Sequence, residues 1–173
     1  GQTQRPRLVA LDTMNYWISS KLESLKRIVA AADLLVINEA EVRAMTGEVN
    51  LIKAAAEIHA MGPKTVVLKR GEYGVLMITP DAVFAAPAYP LESVFDPTGA
   101  GDTFAGGFLG YLASCEEFDD RAVRRAIIHG SVLASFNVES FSLDRLRSLT
   151  RPEIDQRYRS FSELTRFEEL AAE

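Results

Sequence analysis

Apolar positions follow two rhythms along this chain. Four short runs have the length and β-branched content of buried strands: Leu8-Val9-Ala10-Leu11, Leu34-Leu35-Val36-Ile37, Thr65-Val66-Val67-Leu68 and Val75-Leu76-Met77-Ile78. Between them the spacing is helical. Tyr16 to Ala31 places Trp17, Leu22, Leu25, Ile28 and Val29 on one side. Asn38-Glu39-Ala40-Glu41 opens a helix that runs toward Thr46 and stops at Gly47, and Leu51 to Met61 is amphipathic and ends at Gly62-Pro63. Arg70-Gly71-Glu72-Tyr73-Gly74 reads as the turn of a hairpin between the third and fourth runs. Val83-Phe84-Ala85 and Val94-Phe95 read as further short strands.

The later chain is helical. A glycine-bearing helix is followed by helices over Phe118 to Asn137, Leu143 to Leu149, and Pro152 to Leu170. Strands alternating with helices predict an α/β architecture, a mostly parallel sheet flanked by helices with one hairpin, in a single part covering residues 1–173. Ligands of such sheets bind beyond the carboxyl ends of the strands. Asp12, Asn38, Lys69 and Asp96 all fall just past a predicted strand end.

Composition narrows the partners. The 173 residues are 47% hydrophobic and 25% charged, as in ordinary globular proteins, with a formal net charge of -5. That balance leaves no basic footprint for nucleic acid. No apolar run approaches the roughly 20 residues that span a bilayer. Cys115 is the one cysteine, so no internal disulfide forms, and a buried thiol is expected near the end of the glycine-bearing helix. These features fit a cytoplasmic protein with a small-molecule ligand. The opening Gly1-Gln2-Thr3 shows no secretory pattern.

The richest chemistry lies in Asp96-Pro97-Thr98-Gly99-Ala100-Gly101-Asp102-Thr103-Phe104-Ala105-Gly106-Gly107-Phe108-Leu109. Five of the 11 glycines fall between Gly99 and Gly110. Glycine in a helix costs about 1 kcal/mol relative to alanine, so so dense a run implies close approach to the backbone. A helix that opens on Gly99-Ala100-Gly101 leaves its first N–H groups unshielded at the positive end of the dipole, which is an anion site. An acid in that turn, Asp102, suits proton or metal handling; a plain helix start with a favourable Asp is the alternative.

This run resembles, at every position from Asp96 to Leu109, the nucleotide-site signature of the ribokinase-like (PfkB) carbohydrate kinase family. The resemblance implies a ribokinase-like three-layer fold. It implies an anion hole formed by Gly99, Ala100 and Gly101, with Thr98 beside it, and Asp102 as the base that takes the acceptor proton. Asn38-x-x-Glu41 forms a capping box by spacing and also resembles the family's Asn-Glu motif, in which Glu41 orders a hydrated Mg²⁺. Lys69-Arg70-Gly71-Glu72-Tyr73-Gly74 resembles the turn beside the nucleotide. Its bland reading is a hairpin turn with solvated charges.

Further expectations are weaker in sequence. Asp96 would bind a monovalent cation such as potassium, with carbonyls of Asn137 to Ser142 as partners, or else cap the helix entry. Ala126, Ile127, Gly130 and Ser131 would lie against adenine, or else pack in the core. His59 and His129 lack metal-ligand spacing and read as surface or core residues. Asp12-Thr13-Met14-Asn15 lacks the glycine fingerprint of dinucleotide folds.

The resemblance covers the family's carboxyl-terminal half. The amino-terminal half, with the sugar-site Gly-Gly motif and the lid, has no counterpart here, and Pro97 replaces the family's frequent Thr. The expected activity is ATP-dependent phosphorylation of an alcohol group of a sugar or nucleoside, with ATP and Mg²⁺ as cofactors, potassium and a homodimer being open additions. On this reading the isolated chain binds Mg·ATP weakly and transfers little. The alternative is a nucleotide-binding or interaction module without turnover.

Overall fold

The computed structural model describes residues 4–168. They divide into two compact units, one up to Ala85 and one from Ala86 onward. The first unit is built on a five-stranded open sheet in the order β1 (Ala10–Asp12), β2 (Leu34–Asn38), β3 (Thr65–Lys69), β4 (Val75–Ile78) and β5 (Val83–Ala86). The β1–β2 and β2–β3 pairings are parallel, and β3–β4 is antiparallel through the Gly71–Tyr73 turn. The expected mixed sheet with flanking helices is therefore present.

Register decides which side chains share a face. Leu35 lies opposite Val66 and Ile37 opposite Leu68, and Val66 is in turn opposite Ile78. These residues pack into one core with Ile18 of α1 (Asn15–Ser20), Leu25 and Val29 of α2 (Leu22–Val29), Val42 and Met45 of α3 (Glu39–Thr46), and Ala54, Ala55 and Ile58 of α4 (Leu51–Met61). The alternate residues Leu34, Val36, Val67 and Met77 are buried as well. Runs buried on both faces are continuous rather than alternating in sequence, which is why they stood out.

Three expectations change. The helix expected from Tyr16 to Ala31 is two helices that break at Lys21 (φ -142°, ψ 35°). Ser19 and Ser20 donate their hydroxyls to the Tyr16 carbonyl, the local bonding by which serine competes with a helix ladder. The break turns the faces: Ile18, Leu25 and Val29 are buried, while Trp17 and Ile28 are exposed. Val94–Phe95 is not a strand; Phe95 instead donates its amide to the Val138 carbonyl at 2.8 Å and leaves its ring exposed. The first strand begins at Ala10, two residues later than the apolar run, and is not the buried strand expected: Ala10 and Leu11 are half-buried and Asp12 is exposed.

The second unit carries α5 (Ala100–Ala113), α6 (Asp120–Asn137), α7 (Asp144–Ser148) and α8 (Arg151–Thr165). The last helix, expected to reach Leu170, ends at Thr165, where Arg166 turns extended (φ -80°, ψ 141°); Leu170 itself lies outside the described residues, as does the opening Gly1-Gln2-Thr3. Helices α5 and α6 cross closely. A Cβ on Gly107 would stand 2.7 Å from Leu133 Cδ1, and one on Gly130 would stand 2.7 Å from the Phe104 carbonyl oxygen. Phe104 and Phe108 stack beside this crossing, with ring centroids 5.9 Å apart.

Helix α8 is tied down by charge as well as by the buried Phe161. Arg157 donates to Ser135 and pairs with Glu139 at 2.6 Å while its guanidinium lies 3.4 Å from the Phe136 ring centroid. Arg145 bridges Glu139 and Glu153. Glu153 also accepts from the Thr150 hydroxyl and amide, and that hydroxyl, with Arg145, holds its carboxyl down to about 2. Cys115 is half-buried just past the end of α5.

Candidate functional site

The candidate residues of the first unit sit at the carboxyl ends of β1, β2 and β3. Asn38 ends β2 opposite Lys69, the last residue of β3. Asn38 Oδ1 accepts the Glu41 amide at 2.8 Å, and Glu41 Oε2 accepts the Asn38 amide at 3.1 Å, so the capping box is formed. Glu41 is only 4% exposed, and burial pushes its carboxyl above the ordinary range against the opposing Asn38 bond. Lys69 Nζ lies 3.2 and 3.0 Å from the two Asp12 carboxylate oxygens. Lys69 is thus committed to an ion pair that the sequence did not suggest, although both residues stood at strand ends.

Glu39 joins two arginines. Arg70 Nε donates to it at 2.9 Å and Arg43 Nη2 at 2.6 Å, and these bonds, Arg70 first, hold the Glu39 carboxyl below its usual range. Arg70 also lies over the Tyr73 ring at 5.7 Å. Gly71 (φ 56°) and Gly74 (φ 85°) have left-handed or mirror-image backbone, as a tight turn at this place requires. Among the described residues, no group of three or more His, Cys, Asp or Glu is arranged to hold a metal ion directly.

The second unit holds the glycine run. Gly99 is the N-cap of α5, with φ 80° and no side-chain cap. Ala100 donates its amide to the Pro97 carbonyl at 3.2 Å and Thr103 to that of Gly99 at 2.8 Å. Gly101 and Asp102 sit in the first turn, where backbone amides lack intrahelical partners. Both are exposed. The first turn of this 14-residue helix is thus uncapped by any side chain and carries one carboxylate, and free N–H groups at such a helix start are suited to an anion.

Asp96 binds the chain at the entry to the glycine turn, in line with the capping alternative. Its carboxylate accepts the Thr98 amide at 2.9 Å, and this bond, with those from the Thr98 hydroxyl and the Ser142 amide, holds its pKa below the ordinary value. Its own amide goes to the Val138 carbonyl at 3.3 Å. Through Thr98 and Ser142 the Asp96 carboxylate joins two loops. Ser142 itself has φ 54°, an uncommon conformation for a residue with a side chain.

Gly130, Ala126, Ile127 and Ser131, expected beside adenine or in the core, are all buried. Gly130 packs against Phe104 where α5 and α6 cross. His129 stacks between Tyr111 and Tyr158, with ring centroids 4.4 and 4.6 Å away, and burial lowers its pKa. His59 is half-buried, with Nδ1 2.8 Å from the Pro63 carbonyl.

One residue of this unit was missed. The side chain of Asn137 is buried to 1% exposure and touches both ends of the glycine turn. The sequence suggested the Asn137 carbonyl as a cation partner, but nothing in it pointed to the side chain.

Comparison with known proteins gives one consistent answer. The family model described as pfkB family carbohydrate kinase matches residues 6–147. A cytidine kinase of Thermococcus kodakarensis is 45% identical over 88 residues, which are 49% of this chain and 31% of that protein. The crystal structure of aminoimidazole riboside kinase from Salmonella enterica, complexed with aminoimidazole riboside and an ATP analog, superposes with a TM-score of 0.77 at 23% identity. It is matched over 87% of this chain and 52% of its own. A fructokinase variant from Vibrio cholerae, in a form bound to fructose, ADP and potassium, has a TM-score of 0.69 at 23% identity, over 78% of this chain and 45% of its own. The chain thus spans about half of the solved structures and a third of the curated relative. Among the described residues, no helix is long and apolar enough to cross a membrane.

Proposed function

Because the chain belongs to the pfkB family of carbohydrate kinases, we propose that it is the nucleotide-binding half of an ATP-dependent phosphotransferase. Its acceptor is an alcohol group of a sugar or nucleoside, the class named in the cytidine, aminoimidazole riboside and fructose kinases that it resembles. The observation that carries the proposal is the open first turn of α5, in which Gly99 at φ 80° turns the chain into a helix with no side-chain cap. The amides of Gly99, Ala100 and Gly101 would receive the charge that develops on the transferred phosphoryl group, and Thr98 borders them. Asp102, exposed in the same turn, would take the acceptor proton. Phosphoryl transfer needs mainly positioning and charge stabilisation, which this turn can offer.

In the first unit, Asn38, Glu41, Lys69, Gly71 and Gly74 are assigned to the nucleotide side. Glu41 fits an outer role toward Mg²⁺: it is one buried carboxylate with an oxygen held by the Asn38 amide. A bound Mg²⁺ would neutralise phosphate charge. Lys69, balanced by Asp12, stands beside Glu41 as a fixed positive charge. Asp96 is assigned the clasp that holds the entry to the turn, and a monovalent cation, such as the potassium of the Vibrio cholerae fructokinase form, is the second role proposed for it.

The test is a coupled ADP-release assay over a panel of sugars and nucleosides with the kinase that contains this chain, together with calorimetry of Mg·ATP binding. Asp102→Asn should lower transfer by about 10²–10⁴, the usual effect of losing a general base, with ATP binding kept. Transfer at the unaltered rate would refute the role of Asp102. A second reading, a nucleotide-binding module without turnover, draws on the partial coverage of the relatives. Acceptor-dependent ADP release by the 173 residues would exclude it.

A further inference from the structure

We propose that Asn137 is a positioning residue for phosphoryl transfer: its side chain fixes the direction in which the Gly99–Asp102 amides point. The inference rests on the anion-hole reading and adds to it a residue from a different helix. Asn137 ends α6, and its buried amide reaches two points of the glycine turn. Nδ2 donates to the Thr98 carbonyl at 3.1 Å, and Oδ1 accepts the Thr103 hydroxyl in a short bond. The sequence separations are 39 and 34 residues, so this is tertiary bracing and not a local cap.

Hydrogen-bond chemistry leaves the amide one orientation. A carbonyl oxygen can only accept, so the nitrogen must face Thr98. The oxygen then faces Thr103, whose hydroxyl must donate. Between these two anchors lie Gly99, Ala100, Gly101 and Asp102, the residues assigned to anion and proton. The space is matched as well, because a Cβ on Gly99 would stand 3.6 Å from Asn137 Oδ1. The next residue completes the brace: the Val138 carbonyl takes the amides of Phe95 and Asp96. Adjacent residues at the end of α6 therefore grip the segment before the turn and the turn itself. The helix alone leaves the Gly101 and Asp102 amides uncommitted, so their aim depends on what holds the turn from outside.

The experiment compares the 173-residue chain with Asn137→Ala, Thr103→Val and Thr103→Ser by amide hydrogen exchange and by NMR titration with Mg·ATP. Loss of Asn137 removes both bonds that anchor the turn, to the Thr98 carbonyl and from the Thr103 hydroxyl, which should speed exchange at Gly99–Asp102 on the order of tenfold. Exchange in the second half of α5 should stay unchanged. The Kd for Mg·ATP should rise by a similar factor, and the ATP-induced shifts of the Gly99–Gly101 amide resonances should shrink. Thr103→Val should act in the same direction and Thr103→Ser should behave as the unaltered chain, which a loss of bulk packing would not produce. If Asn137→Ala fails to fold, Thr103→Val carries the same test. A folded Asn137→Ala or Thr103→Val with unchanged exchange, Kd and resonance shifts would overturn the inference alone. An unaltered chain that binds no Mg·ATP would overturn the anion-hole reading and the inference with it, whatever the exchange rates do.

Discussion

Gly130→Ala measures how closely α5 and α6 are joined. The added Cβ would meet the Phe104 carbonyl oxygen at 2.7 Å and two Phe104 ring atoms at 2.9 and 3.0 Å. The ring could rotate, but the carbonyl belongs to the α5 backbone and moves only if the helices separate. Overpacking of this kind costs about 1–3 kcal/mol. The better helix propensity of alanine returns about 1 kcal/mol. The backbone clash puts the cost at the upper end, which leaves a net loss of about 2 kcal/mol. At this chain length each kcal/mol moves Tm by about 2–4 °C, so Tm should fall by about 4–8 °C. Gly106→Ala is the matched control, since a Cβ there meets nothing within 4 Å. It should raise stability by up to about 1 kcal/mol through propensity alone. Thermal melts followed by circular dichroism, with urea unfolding at constant m, read both effects. A Gly130→Ala chain as stable as the original, or a shift of the same sign for the two variants, would refute the close-crossing explanation.

Other substitutions separate stability from function. Glu41→Gln keeps an acceptor for the Asn38 amide and removes a buried charge, so Tm should hold or rise while the Mg²⁺ dependence of ATP binding weakens; a Mg²⁺ response identical to the original would remove Glu41 from the site. Gly101→Val puts a branched side chain on the proposed anion turn, and Mg·ATP should cease to raise Tm in a chain that still folds; full ligand stabilisation would mean that Gly101 serves only the helix start. His129 has its pKa lowered in the fold by burial, then by Arg151, with Asp155 opposing. The unfolded chain therefore binds more protons near its ordinary value of about 6.5, and the stability held above that pH declines as pH falls through it. Melts at pH 7.5 and 5.5 should show a smaller drop for His129→Phe than for the original chain, and equal drops would acquit His129.

The parts of the fold legible in sequence were those with local causes. Helix α3 runs from an Asn38 cap to a left-handed Gly47, and α4 from Asn50, whose side chain accepts the Ile52 and Lys53 amides, to Gly62. Their boundaries could be read to the residue because caps are local chemistry. Buried runs located β2, β3 and β4 equally well. The break at Lys21 escaped because Ser19 and Ser20 do not interrupt an apolar period; their hydroxyls act only once the chain is helical. The glycine turn was visible because its residue types have few other uses. Its supports were not. The Asn137 amide, the Asp12–Lys69 pair and the Ser142 amide on Asp96 join positions far apart in the chain, and no spacing rule connects them.

The anchoring of α8 bears on where this protein may be cut. The family match ends at residue 147, ahead of Arg151, and invites a boundary there. Trimming at that point would strip Arg157 from Glu139 and Ser135, take Glu153 away from Arg145, and lay bare the ground that Phe161 now covers. Glu139 lies two residues beyond Asn137, so the harm would reach the glycine turn by way of the α6 terminus. Anyone dividing this protein into complementing pieces, or borrowing its glycine turn for a chimaera, should keep the chain through at least Thr165.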